Sequence, residues 1–185
     1  MTTRIPSSYI IRQLKPTDAL LFRTLRLEAL STSPDSFSST VAREEAFSMD
    51  VWEERTTRTA FAFELATSPG SAPGDEATLQ EHPVGMVAYY WVEPKETPLA
   101  HLVGLWVHPA HRGKGLGSAL VEWVVAQVLP SWTDNAAPKC MLQLEVGERN
   151  KEVIPMYERL GFRRIETDGL FMEYVEVRPC DMGQS

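Results

Sequence analysis

The segment from Leu105 to Trp123 constrains the fold more than any other part of the chain. It reads LWVHPAHRGKGLGSALVEW, in which an apolar strand pattern leads into a basic turn with three glycines and then into an apolar run of helical length. The first N–H groups of a helix have no internal acceptor, and the helix dipole favours negative charge there. Glycines let several N–H groups converge on one anion. The segment therefore predicts a strand–turn–helix unit whose turn binds a phosphate or pyrophosphate group.

Three known phosphate-binding patterns can be compared with this turn. A Walker-type loop needs two glycines around four residues and then Lys-Ser or Lys-Thr, and the Gly-Lys-Gly at 113–115 breaks that order. A dinucleotide fingerprint needs a glycine at its sixth position, where this chain has Ser118. The third pattern, Arg-x-x-Gly-x-Gly, is filled by Arg112, Gly115 and Gly117. A turn that only connects strand to helix is the alternative interpretation.

The composition restricts the classes of protein that the chain can form. Its 185 residues suit one domain, and 43% hydrophobic residues are enough to build a core. The formal net charge of −7 argues against a general nucleic-acid or anionic-membrane surface. No apolar run in the sequence approaches the roughly 18 residues of a membrane span. We therefore expect neither nucleic-acid nor membrane partners.

Cysteine usage and the first residues indicate a compartment. Cys140 and Cys180 are the only cysteines, which is no disulfide framework, so a reducing environment is expected. The first residues contain no apolar signal region. Although basic residues precede the first acidic one, residues 9–14 have the pattern of a strand. We expect a cytoplasmic protein rather than a mitochondrial one, with a nuclear location left open.

Hydrophobic periodicity predicts one mixed α/β domain over residues 1–185, with a mainly antiparallel sheet of about seven strands and about four helices. The predicted strands lie at 9–14, 59–66, 84–92, 101–107, 140–146, 162–167 and 170–177. The predicted helices lie within 15–37, 43–58, 118–129 and 150–162. Proline and glycine enrichment predicts an exposed insertion at 67–82. Residues 178–185 are expected to form a C-terminal tail.

Two segments resemble the most specific motifs of the GNAT superfamily, which are acyl-coenzyme A-dependent N-acyltransferases. They are LWVHPAHRGKGLGSALVEW and LEVGERNKEVIPMYERLGF, and they occur in the order that the family requires. The resemblance extends from about Tyr9 to Val177. It implies a GNAT-like fold and transfer of an acetyl group from acetyl-coenzyme A to a primary amine, by direct attack in a ternary complex. It implies no metal, a small-molecule or protein amino group as acceptor, and a monomer or homodimer.

The same resemblance assigns residues to the coenzyme. Backbone groups of Leu105, Trp106 and Val107 would hold the pantetheine arm, Asn150 would hydrogen-bond that arm, and Tyr157 would lie near the thioester sulfur. The pyrophosphate would bind to the turn residues Arg112, Gly113, Lys114, Gly115, Leu116, Gly117 and Ser118. The spacing of Asn150 and Tyr157, two helical turns, predicts that both share one helix face. Since Pro155 must fall in or near the first turn, this helix should begin close to residues 151–152.

The chemistry of amine acylation indicates further candidate catalytic residues. An alkylammonium with a pKa near 10.4 is almost fully protonated at pH 7, so a base is useful. His101 and Glu145 are the candidates, with a water molecule as the alternative. Tyr157 could donate a proton to the departing thiolate, or it could be an aromatic ring packed on the arm. Gly104 predicts a β-bulge whose N–H faces the acyl carbonyl, or else it makes room for a bulky neighbour.

Two other functions fit parts of the sequence. A coenzyme A-binding sensor or scaffold without turnover would need the glycine turn but not the proton donor. A nucleic-acid contact through the basic turn is disfavoured by the net charge of −7. The identity of the acceptor, the acyl-chain preference and the role of the 67–82 insertion stay open.

Overall fold

The computed structural model describes residues 3–67, 79–92, 98–129, 141–165 and 171–174. Within them, seven strands form one sheet. The strands are β1 (Tyr9–Gln13), β2 (Thr59–Thr67), β3 (Leu79–Val92), β4 (Leu99–Val107), β5 (Met141–Glu145), β6 (Phe162–Arg164) and β7 (Phe171–Tyr174). The α-helices are α1 (Ala19–Thr32), α2 (Val41–Glu45), α3 (Met49–Thr56), α4 (Leu116–Val128) and α5 (Ile154–Arg159). Short 3-10 turns occupy Pro16–Asp18, Pro34–Ser36, Pro109–His111 and Glu148–Val153.

The strand order is β1-β2-β3-β4-β5-β7-β6. Every neighbouring pair is antiparallel except β4 and β5, which run parallel. The parallel pair requires a crossover, and α4 lies between these two strands in the chain. The predicted fold class, a mixed and mainly antiparallel sheet with flanking helices, is confirmed.

The sheet lies between two layers of helices, and side chains on both of its faces are buried. In β2 the alternating side chains separate: Ala60 and Ala62 face one apolar cluster, and Phe61 and Phe63 face another, all fully buried. The first cluster contains the apolar residues of α4 and α5, and the second contains those of α1 with Trp52 of α3. Helices therefore cover both faces, which we call the α4–α5 face and the α1–α3 face.

Several predicted boundaries differ from the observed ones. The predicted helix 43–58 is two helices, α2 and α3, because Ser48 between them has extended backbone angles. Strand β3 begins at Leu79, so residues 79–82 belong to the sheet rather than to the insertion. Residues 68–78, the loop 131–139, the turn at Asp168-Gly169 and the tail 178–185 lie outside the described residues. None of the described helices combines the length and the apolar character needed to cross a membrane.

Candidate active site

The two parallel strands at the centre of the sheet are paired over only part of their length. Three rungs join them, and His101 opposite Gln143 is the last. Beyond it, β4 continues to Val107 and β5 to Glu145 without a further rung among the described residues. The β5-facing backbone edge of residues 102–107 is therefore open to a ligand that can hydrogen-bond to it.

A β-bulge lies in β4 beside this opening. On β3, Met86 faces Trp106 and Ala88 faces Val103, so β4 contains one extra residue between the two rungs. Gly104 lies in this stretch with φ +67°, a conformation that favours glycine. A Cβ at Gly104 would meet only Arg26 Nη1, at an ordinary contact distance of 3.7 Å. The predicted bulge is confirmed, and backbone conformation rather than crowding accounts for the glycine.

The glycine turn leads into α4 as the sequence predicts. Gly113 has φ +75° and Gly115 has φ +80°, both in the left-handed region. Gly115 is the N-cap residue, and its carbonyl accepts the first helical bond from Ala119 N–H at 3.0 Å. The helix begins at Leu116, two residues before the predicted start at Ser118, because the turn closes on the left-handed Gly115. The N–H groups of residues 116–118 therefore form the open first turn of α4.

The two cationic side chains of the turn contact the protein itself. Arg112 Nε donates a hydrogen bond to the carbonyl of Val107 at 2.9 Å. Lys114 Nζ donates to the hydroxyl of Tyr9 at 2.7 Å, and this hydroxyl donates to Glu64 Oε1 at 2.9 Å. Lys114 thus reaches across to β1. No periodicity in the sequence relates these residues, so sequence reasoning missed the contact.

Gly115 and Gly117 differ in their surroundings. A Cβ at Gly115 would meet Thr3 Cγ2 at 3.2 Å, because residues 3–5 run past the start of α4. Thr3 is held there by Glu122, whose carboxylate accepts from its N–H at 2.7 Å and its hydroxyl at 2.9 Å. A Cβ at Gly117 would instead point between Met156 and Val107, with 3.5 Å to the nearer atom. Gly117 therefore faces the gap between β4 and the segment after β5.

The structure corrects the predicted relationship between Asn150 and Tyr157. Asn150 lies in the 3-10 segment with non-helical backbone angles, φ −122° and ψ 29°. The α-helix begins at Ile154, so Asn150 and Tyr157 do not share one continuous helix and the argument from their spacing was wrong. Pro155 does fall in the first turn, as predicted, and it is the reason the regular helix starts late.

Tyr157 is buried on the α4–α5 face. It is 6% exposed, and its ring contacts the edge of Phe162 with 5.6 Å between centroids. Burial raises the pKa of the Tyr157 phenol above its usual value of 10.0. The phenol is therefore fully protonated throughout the neutral range, which suits a hydrogen-bond donor.

His101 and Glu145 meet on the opposite side of the sheet. His101 pairs with Gln143, and Glu145 lies two residues further along β5, so all three side chains share the α1–α3 face. The His101 ring stacks on Tyr90, with 5.4 Å between centroids. Burial lowers the pKa of His101 below 6.5, and the charge of Glu145 opposes that shift. His101 is neutral at pH 7 and lies where the gap between β4 and β5 opens.

The loop after α1 contacts both β4 and the segment after β5. Trp106 Nε1 of β4 donates to Ser33 Oγ at 3.1 Å. A Cβ at Gly147, after β5, would lie 4.0 Å from the carbonyl of Asp35. The loop thus reaches from β4 to the segment that follows β5. In the described part of the chain, no group of three His, Cys, Asp or Glu side chains is placed to hold a metal ion.

Comparison with known proteins gives the family of this fold and site. Residues 36–162 match the acetyltransferase (GNAT) family, and the chain belongs to that family. It is 26% identical over 137 residues to alpha/beta-tubulin-N-acetyltransferase 9 of Homo sapiens, covering 74% of this chain but 63% of that protein, less than two thirds of its length.

Solved structures agree on the fold. An acetyltransferase of the GNAT family from Streptococcus pneumoniae is 19% identical and superposes with a TM-score of 0.58, covering 89% of this chain and 95% of that one. NAA60 of Arabidopsis thaliana, solved in complex with acetyl-CoA, is 17% identical with a TM-score of 0.54, covering 90% of this chain and 96% of that one. At these identities the likeness establishes the architecture.

Proposed function

We propose that this protein transfers an acetyl group from acetyl-coenzyme A to a primary amine, by direct attack within a ternary complex. The observation that carries the proposal is the opening between β4 and β5 with the bulge at Gly104 beside it. The base candidates lie on one face of the sheet and Tyr157 lies on the other, so a ligand in this opening would have both within its surroundings. The tubulin acetyltransferase among the relatives favours a protein amino group as acceptor.

The coenzyme would bind along the open edge of β4. Backbone groups of Leu105, Trp106 and Val107 would hydrogen-bond the pantetheine arm like an added strand. The N–H groups of residues 116–118 would receive the pyrophosphate, where the helix dipole adds a favourable field. Arg112 is the exposed cation of the turn and is free to exchange the carbonyl of Val107 for a phosphate oxygen.

The reaction would proceed from the α1–α3 face toward the α4–α5 face. The neutral amine attacks the thioester carbonyl carbon, a C–N bond forms, and the carbonyl oxygen gains negative charge opposite a bulge N–H. The C–S bond then breaks, the amine nitrogen loses a proton to the base, and the thiolate gains one. The products are the acetamide and the free thiol of coenzyme A.

His101 is the better placed of the two base candidates. Its neutral imidazole can take the proton directly or through water, and its lowered pKa keeps it neutral at pH 7. Glu145 is exposed and lies beside it, so its charge would attract the ammonium form of the acceptor and favour the imidazolium once formed. We therefore assign proton abstraction to His101, and we assign to Glu145 the negative charge that supports it.

Tyr157 would act on the leaving group. Burial raises the pKa of the Tyr157 phenol, which makes full proton transfer from Tyr157 to the departing thiolate less favourable. A hydrogen bond from the phenol still stabilises the developing charge, and bulk water can complete the protonation. Tyr157 is accordingly a hydrogen-bond donor in the transition state.

Two measurements test the proposal. Calorimetric titration with coenzyme A should show binding, with weaker binding of S-acetylpantetheine because it lacks the pyrophosphate. Release of free thiol from acetyl-coenzyme A should then depend on the presence of αβ-tubulin or of a small primary amine. Binding without thiol release across the acceptors would favour a coenzyme sensor or scaffold instead. Absence of binding would exclude both functions.

A further inference from the structure

A buried cluster of charges lies between α1, α2 and α3, next to the bulge at Gly104. Arg26 is 7% exposed and Glu44 is 2% exposed. Arg26 Nη2 and Nε donate to Glu44 Oε1 at 2.7 Å and Oε2 at 3.0 Å. Arg55 Nη1 donates to the same carboxylate at 3.1 Å. The cluster therefore holds two cations against one anion.

One guanidinium nitrogen of Arg26 takes no part in the ion pair with Glu44. Nη1 is buried and has no hydrogen-bond partner within the described residues. The guanidinium is held in place by Glu44 and by the ring of Phe37, whose centroid lies 4.5 Å from Cζ. Nη1 lies 3.7 Å from the Cβ position of Gly104. A buried donor without an acceptor is unfavourable, so a group that supplies one would be bound.

A cavity adjoins Arg26. It has a volume of about 50 Å³, and Arg26, Arg55, Phe22, Met86, Ala88 and Gly104 contribute to its walls. Val103, another wall residue, is 38% exposed, which places this side of the cavity near the protein surface. The volume is sufficient for a carboxylate group.

We propose that this cavity is a substrate subsite in which Arg26 Nη1 binds a carboxylate oxygen of a molecule whose reacting end lies at the Gly104 bulge. The inference rests on the proposed acyl transfer. Two molecules at the bulge could carry the carboxylate: an acceptor that bears one near its amine, or an acyl group that ends in one. Both would place a carboxylate in the cavity. The net positive charge of the cluster favours each of them over an uncharged analogue.

Two matched substrate pairs distinguish these sources. In the first, acetyl-coenzyme A is offered with an amino acid and with its carboxamide, which replaces the acceptor's carboxylate with an uncharged group; the two are compared at a pH where both amines are neutral. In the second, succinyl-coenzyme A is compared with butyryl-coenzyme A toward one acceptor that lacks a carboxylate. We expect the wild-type protein to prefer the carboxylate in one pair by roughly tenfold or more in kcat/KM, the size expected for a hydrogen bond to a charged group.

Two variants test whether that substrate preference arises in the cavity. Arg26→Lys retains a cation opposite Glu44 but cannot supply both sides of the guanidinium fork. Ala88→Leu fills the cavity from β3 and leaves the ion pair intact. Both should lose the preference. Arg43→Lys, at an exposed position on α2, is the matched control and should retain it.

A binding measurement keeps the test independent of turnover. Sodium acetate should raise the unfolding midpoint of the wild-type and Arg43→Lys proteins more than sodium chloride does at equal ionic strength. Arg26→Lys and Ala88→Leu should lose that difference. An acetate effect without detectable acyl transfer would support the subsite and count against the proposed function. A preference and an acetate effect that are absent from the wild-type protein, or unchanged in both folded variants, would leave Arg26 as a structural ion pair and overturn the inference.

Discussion

His101 and Gln143 face each other on the last rung of the parallel ladder between β4 and β5. Beyond this rung no further pairing joins the two strands within the described residues. His101 with Glu145 lies on the α1–α3 face and Tyr157 on the α4–α5 face. In the proposed reaction, the acceptor and the leaving group would therefore be served from opposite faces of the sheet.

The pH profile tests the base. Since burial lowers the pKa of His101, kcat/KM should fall on acidification once the pH reaches this lowered pKa and His101 becomes protonated. Glu145→Gln removes the charge that raises the His101 pKa, so the acidic limb should move to lower pH. His101→Ala should lower activity and abolish that limb. A limb that both substitutions leave in place would assign the base to water or to another group.

Replacing Tyr157 by phenylalanine separates the hydroxyl from the ring. The ring contact with Phe162 should survive, and the affinity for coenzyme A by calorimetry should change little. Turnover should fall by roughly ten- to a thousandfold because the transition-state donor is gone. The loss should shrink with an acyl donor whose thiol is more acidic. Full activity in Tyr157→Phe would leave Tyr157 as a packing residue.

The two glycines of the turn should respond differently to substitution. Gly117→Val places a branched side chain between Met156 and Val107, so the KM for acetyl-coenzyme A should rise strongly while the unfolding midpoint changes little. Gly115→Ala forces a side chain into φ +80° and against Thr3, so it should destabilise the fold by about 1–2 kcal/mol. Unchanged coenzyme affinity in a folded Gly117→Val protein would remove this part of the turn from the site.

Glu44 should make the stability depend on acid. Burial alone would raise its pKa, but the hydrogen bonds and charge of Arg26, with Ser39 and Arg55, outweigh burial and hold the pKa at about 2 instead of 4.5. The stabilisation is complete above pH 4.5 and is lost as the pH falls toward 2, by about 3 kcal/mol in total. The free energy of unfolding in urea, measured at several pH values between 4.5 and 2, tests this dependence.

Glu44→Gln is the matched variant for this dependence. At neutral pH it should lose about 3–5 kcal/mol, because Arg26 stays buried without its counter-charge. Its free energy of unfolding should vary less between pH 4.5 and 2 than that of the wild-type protein. Parallel pH profiles for the two proteins would contradict the assignment of the dependence to Glu44.

The local pattern of the chain was sufficient for the fold class, the glycine turn and the bulge. Strand alternation and helical spacing are set by the two backbone periods, and glycines mark the left-handed positions, so Gly104, Gly113 and Gly115 could be interpreted without any distant contact. Pro155 was correctly expected in the first turn, but α5 begins at Ile154 and not at residues 151–152 as predicted, since residues 148–153 form a 3-10 segment. Helix boundaries were less predictable. Residues 43–58 have a pattern compatible with one continuous helix, but the extended backbone of Ser48 separates α2 from α3.

The sequence by itself determined which segments form strands, where the glycine turn leads into a helix and which family the chain resembles, because these depend on neighbours within a few residues. Only the tertiary structure decided where β4 and β5 separate, that Lys114 reaches Tyr9, that Thr3 lies against Gly115, and that Arg26 is buried beside the bulge. These contacts join residues far apart in the chain. They form only when the sheet order and the helix layers bring them together, and no local period encodes that order.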